Sequence, residues 1–198
     1  MKGMLCTILT TSSVIAAQAA LFEYTVTLSG PSESPPNISP GTGNGTVIYD
    51  DANHTLGVQL SFSGLTAGTT ASHIHAPTSS PLTGTAGVAT TTPTFQDFPL
   101  GVTSGTYSRT LDLTSASSYN PSFITANGGT TGSAETALAA AIAGGDAYWN
   151  VHTTAFPGGE IRGFLVPIPE PSALALTSVA GLGWALREWR RKGSYVRR

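Results

Sequence analysis

This sequence predicts an all-β fold: an antiparallel sandwich or Greek-key barrel with one short helix, followed by a C-terminal hydrophobic helix. Three observations carry the prediction. Apolar and polar residues alternate with a period of two in one short segment after another. Stretches rich in Gly, Ser, Thr and Pro separate those segments. Charged residues make up only 10% of the 198-residue chain, too few for long solvated helices.

The alternation begins at Phe22, Tyr24, Val26 and Leu28, the first strand. Residues 45–49 and 56–62 flank the turn-like Asp51-Ala52-Asn53 and read as a hairpin. Residues 71–75 give a fourth strand and 87–90 a fifth. In 107–113 the residues Tyr107, Arg109, Leu111 and Leu113 share one face. Residues 148–153 and 160–166 form a last hairpin over Phe156-Pro157-Gly158-Gly159. One helix interrupts the strands. Ser133 caps it, Glu135 suits its positive end, Leu138, Ala141 and Ile142 give it an apolar face, and Gly144-Gly145 stops it. The stretches 76–86, 91–105 and 114–132 read as loops.

Both ends differ from this domain. Residues 1–20 have Lys2, a moderately apolar middle and the small-x-small run Ala17-Gln18-Ala19. That pattern predicts a signal peptide cleaved after Ala19 or Ala20. At the other end, Pro167, Pro169 and Pro171 stiffen a linker. An uncharged stretch, 173–186, follows, and then Arg187, Arg190, Arg191 and Lys192. Trp184 and Trp189 suit a membrane interface, and the arginines suit its cytoplasmic side. The expected organisation is therefore a signal peptide (1–20), a β domain (21–166) and a C-terminal anchor (167–198). Cys6 is the only cysteine and lies in the segment expected to be removed. The mature chain then has no disulfide framework, thiolate metal site or Cys nucleophile.

Between Ala20 and Ile168, Arg109 and Arg162 face nine acids. So acidic a domain repels a phosphate backbone, which argues against nucleic-acid binding. No nucleophile elbow, P-loop, dinucleotide fingerprint or H-E-x-x-H motif is present.

The histidines are the remaining chemistry. His54 follows a turn and reads as a solvent-facing strand residue. His73 and His75 flank Ile74, so on a strand both imidazoles share one face. If Trp149 and Val151 point inward, Tyr148, Asn150 and His152 share the opposite face. If Ile161 points inward, Glu160 and Arg162 join that face. Three neutral imidazoles that converge suit copper or zinc. Asn150, Glu160 or Arg162 would then support the rings. A hydrogen-bonded polar seam, with Glu160 paired to Arg162 or to a histidine, is the alternative.

Two resemblances add to this reading. Pro169-Glu170-Pro171, a hydrophobic stretch and an arginine cluster together resemble a PEP-CTERM sorting signal. That resemblance implies a bacterial envelope, cell-surface or extracellular protein, handled by signal peptidase and an exosortase-type enzyme. It also implies membrane association and a link to exopolysaccharide and biofilm matrix. The second set of motifs is Ala71-Ser72-His73-Ile74-His75-Ala76-Pro77, Tyr148-Trp149-Asn150-Val151-His152-Thr153 and Phe156-Pro157-Gly158-Gly159-Glu160-Ile161-Arg162-Gly163. These resemble the CHRD domain named from chordin. That resemblance implies an immunoglobulin-like β-barrel with limited similarity to copper/zinc superoxide dismutases. His73, His75 and His152 would match three copper ligands, while the bridging histidine, the zinc-loop ligands and the disulfide have no counterpart. The sequence thus leaves two functions to separate: a non-catalytic envelope or matrix module, and a metal-binding protein with a His-x-His plus His site.

Overall fold

The computed structural model describes residues 21–169. The predicted signal peptide lies outside them. So do Glu170, Pro171, the hydrophobic stretch and the basic tail. Among the described residues, no helix is long and apolar enough to cross a membrane.

Eight strands form one antiparallel sheet that curls into a half-barrel. They are β1 (Leu21–Ser29), β2 (Thr42–Asp50), β3 (Thr55–Ser63), β4 (Thr69–His75), β5 (Gly105–Asp112), β6 (Tyr148–Thr153), β7 (Ile161–Phe164) and β8 (Val166–Pro167). The order across the sheet is β4-β6-β7-β1-β2-β3-β5, with β8 paired to β1. A sandwich would have split these strands into two layers. Here the β6–β7 hairpin joins β1 through Ser29 and Arg162, so the sheet is continuous. That junction is close because residue 163 is glycine. A Cβ there would run into the Thr27 carbonyl.

Period-two patterning decides which way each strand faces. In β1, Tyr24, Val26 and Leu28 are buried and Glu23, Thr25 and Thr27 exposed. In β3, Leu56, Val58, Leu60 and Phe62 turn inward. Ile74, Trp149, Val151 and Ile161 are fully buried in the same core. Each such side chain contributes about 1.5–3 kcal/mol relative to exposure.

Two helices add Phe123, Ala134, Leu138, Ala141 and Ile142 to the same core. The first, α1 (Pro121–Ala126), lies in a stretch expected to be loop. Asn120 caps it by accepting from the Ser122 N–H, and Pro121 occupies its first turn. The second, α2 (Thr131–Gly144), starts earlier than Ser133 suggests. Thr130 is its cap, and Ser133 completes a reciprocal capping box with it. Leu138, Ala141 and Ile142 do form its buried face.

The predicted strand at 87–90 is not formed. That segment runs along the edge of β4, joined by the bridge between His75 and Val88. There the Thr90 hydroxyl accepts from the Ile74 N–H, and a side chain takes the place of a ladder bond. The last hairpin also differs from expectation. Glu160 lies in the turn before β7, and Val166 belongs to β8.

Candidate metal centre

The register of β4 against β6 builds the site. Ile74 pairs with Trp149, His73 with Asn150, His75 with Tyr148, and Ala71 with His152. Trp149 is fully buried and its indole N–H donates to the Ser72 hydroxyl at 2.7 Å. The Ser72 hydroxyl in turn donates to the Asn150 carbonyl at 2.9 Å. With Ser72, Ile74, Trp149 and Val151 held inward, the pleat places His73, His75 and His152 together on the outer face.

The three rings meet. Centroids lie 5.2 Å apart for His73 and His75, 4.8 Å for His73 and His152, and 6.1 Å for His75 and His152. Each ring gives one N–H to a backbone carbonyl: His73 Nε2 to Pro93 at 3.1 Å, His75 Nδ1 to Ala86 at 2.9 Å, and His152 Nδ1 to Pro157 at 2.9 Å. The other nitrogen of each ring, His73 Nδ1, His75 Nε2 and His152 Nε2, is buried and has no hydrogen-bond partner. One potential ligand atom from each of the three residues lies within 4.8 Å of the others.

The carbonyls fix the tautomers, so a neutral ring leaves its free nitrogen with a lone pair. Burial keeps the rings neutral. It pushes His73 down to about 3, helped by His152 and His75. It pushes His75 down to about 4, against the bond to Ala86. His152 is also lowered by burial, against its bond to Pro157. Metal–nitrogen bonds of about 2.0–2.1 Å need the three nitrogens roughly 3.3–3.6 Å apart. A bound ion would have to draw them together from their present spacing of within 4.8 Å. His152 is only half-buried and forms the solvent side of the cluster.

Behind His75 stands a stack. The Tyr148 ring lies 4.7 Å from the His75 ring and nearly parallel to it, at 6°. The Arg162 guanidinium covers the Tyr148 ring at 4.7 Å. The Tyr148 hydroxyl donates to the Ala86 carbonyl, which also takes the His75 proton. Arg162 donates from Nη1 to the Gly84 carbonyl at 3.0 Å and from Nε to the Ser32 carbonyl. It thereby ties two loops over the outer face.

The expected supporting residues separate here. Arg162 reaches the site through Tyr148. Asn150 sits beside His73, its Oδ1 without a partner. The Glu160 carboxylate accepts from the Ser39 hydroxyl at 2.6 Å, the Thr66 N–H at 2.6 Å and the Thr66 and Thr153 hydroxyls. Neither a histidine nor Arg162 is among its side-chain partners. Burial raises the Glu160 carboxyl, but those bonds outweigh it and hold the group below the usual range.

His54 stands apart. It is exposed at a left-handed turn position, φ 53°, and its Nδ1 meets the buried Glu135 carboxylate at 3.0 Å. That bond and the charge of Glu135 raise the imidazole.

Sequence reasoning missed Glu33. It is buried in the loop after β1, with Oε2 3.9 Å from Arg162 Nε and Oε1 unpartnered. Burial pushes its carboxyl up to about 7, against Arg162 and the Ser34 N–H. A Cβ on Gly159 would touch both Glu33 Oε1 and the Asn150 amide, so these groups border one point. No local signal marks Glu33, because its partner is 129 residues away in the chain.

An antiparallel half-barrel with three imidazoles gathered outside one edge is the class of protein these features define. The chain matches the family model described as CHRD domain over residues 24–165, and it belongs to that family. No curated protein and no solved structure matched it. Family membership points to an extracellular or secreted binding module.

Proposed function

We propose that this chain is an exported, non-catalytic binding module of the bacterial cell envelope or extracellular matrix that holds one copper or zinc ion on His73, His75 and His152. One observation carries the metal reading. Three ring nitrogens are buried, unpartnered and mutually close, while the opposite nitrogen of each ring is fixed by a backbone carbonyl. A hydrogen-bonded seam would have paired those nitrogens with each other or with Glu160. Second partners that orient each ring are the usual support of a histidine ligand.

Export rests on different features. The N-terminal segment suits signal peptidase. Pro169, Glu170, Pro171 and the tail Arg187, Arg190, Arg191 and Lys192 suit an exosortase-type sorting enzyme and membrane association. Exopolysaccharide matrix is the setting such a signal implies. Among the described residues the metal-ligating cluster consists of these three rings alone, and the module is read as a binding one.

Two measurements test this. Fractionation of the producing cells should find the protein in the envelope or medium, and a cytoplasmic pool of mature chain contradicts export. Elemental analysis after loading with copper or zinc should give about one ion per chain. His73→Ala and His152→Ala should each lose it. Equal, near-zero metal in all three proteins contradicts the metal site.

A further inference from the structure

We propose that the centre selects cuprous copper, Cu(I), over Zn(II) and Cu(II). This inference rests on the metal reading above. It comes from what surrounds the three nitrogens, namely the charge and number of donors.

All three donors are neutral imidazoles, and no carboxylate joins the cluster among the described residues. Glu160 is committed to Ser39, Thr66 and Thr153. Glu33 is turned toward Arg162 and the Asn150 amide. A bound ion therefore keeps its full charge. His73 is only 6% exposed and His75 9%, so that charge sits in a poorly solvated place. The Born cost of desolvating an ion grows with the square of its charge, so a divalent ion pays about four times the monovalent cost.

The nearest fixed charges do not help a divalent ion. Arg162 is a cation one ring behind His75, stacked on the Tyr148 ring that covers it. Glu33 offsets Arg162 at most once, and burial works against its ionisation. Coordination number acts in the same direction. Three histidines hold zinc only with a water as fourth ligand, and cupric ion takes four or more in a tetragonal arrangement, so either divalent ion must bring solvent into this buried cluster. A closed-shell cuprous ion is satisfied by three nitrogens in a plane. The three rings supply that number.

The test uses the full chain under anaerobic conditions at pH 8, with copper kept cuprous by ascorbate and zinc sulfate as competitor. Wild type should retain copper against a tenfold excess of zinc. Asn150→Asp places a carboxylate of nearly the same shape at the strand position paired with His73, and pH 8 favours its ionised form. It should shift the cuprous-to-divalent preference by about tenfold toward the divalent ions, which is about 59 mV in the one-electron copper potential. Glu33→Gln leaves Arg162 without an offset and should shift the preference the other way. Both variants are isosteric, and circular dichroism checks that they fold. Zinc displacing copper from wild type at equal concentration overturns cuprous selection while leaving the metal site in place. An Asn150→Asp potential equal to wild type overturns the charge argument. A wild-type chain that takes up neither metal removes the proposed function and this inference with it.

Discussion

Ser72 joins the Trp149 side chain to the β6 backbone. Its hydroxyl satisfies the Trp149 indole N–H inside the core and donates to the Asn150 carbonyl. Ser72→Ala leaves that N–H buried without a partner, at a cost of about 1–3 kcal/mol, read as a lower urea midpoint with unchanged slope. Glu33 makes a pH-dependent contribution. Its folded carboxyl titrates at about 7, above the ordinary value of 4.5. Between those values the folded chain holds a proton the unfolded chain has lost, so stability falls as pH rises through that window. Glu33→Gln should therefore melt several degrees above wild type at pH 8 and close to it at pH 4. Equal melting shifts at both pH values contradict this assignment. At this scale the sequence showed the three converging rings but not their supports. His73 and His75 at i and i+2, and His152 beside an inward Val151, follow from strand alternation alone. The carbonyls of Pro93, Ala86 and Pro157 carry no side-chain signature, and Glu33 acquires its role only through distant contacts.

The pairing of β4 with β6 makes the site, and the junction of β7 with β1 holds that pair to the rest of the sheet. Gly163 is what lets the two backbones approach, since a side chain would collide with the Thr27 carbonyl. Gly163→Ala should destabilise the domain by about 1–3 kcal/mol or more through overpacking, with the loss visible as a lower thermal midpoint. A variant as stable as wild type contradicts this account of the junction. The long alternating strands were legible because a buried and a solvated face leave a clear period of two. The segment at 87–90 has the same composition as a strand. It became an edge strap because the Thr90 side chain took a bond the ladder needed. Helix α1 was hidden in six residues, too short for an apolar period, with only Asn120-Pro121 as its start signal. Ser133 fits the cap position in sequence but is the third residue of the turn, because Thr130 three residues earlier fits it equally well and takes it.

For the whole molecule, curling one sheet into a half-barrel leaves β4 at an edge with its outer face open to loops. The loops carrying Glu33 and Gly84 converge there through Arg162. The result is a partly sealed cluster of neutral nitrogens, with half-buried His152 as its most exposed member, on a domain whose family suggests an extracellular setting. All-β class and antiparallel pairing were readable from the turns and alternation. One continuous sheet in place of two layers was not, since it depends on strand order.

X-ray absorption at the metal edge of the loaded full chain tests the central claim most directly. Three nitrogen neighbours at about 2.0 Å, with the outer-shell scattering of imidazole rings, are the predicted result. A shell of five or six oxygens without that imidazole pattern would show an ion held elsewhere on the surface and contradict a three-histidine centre.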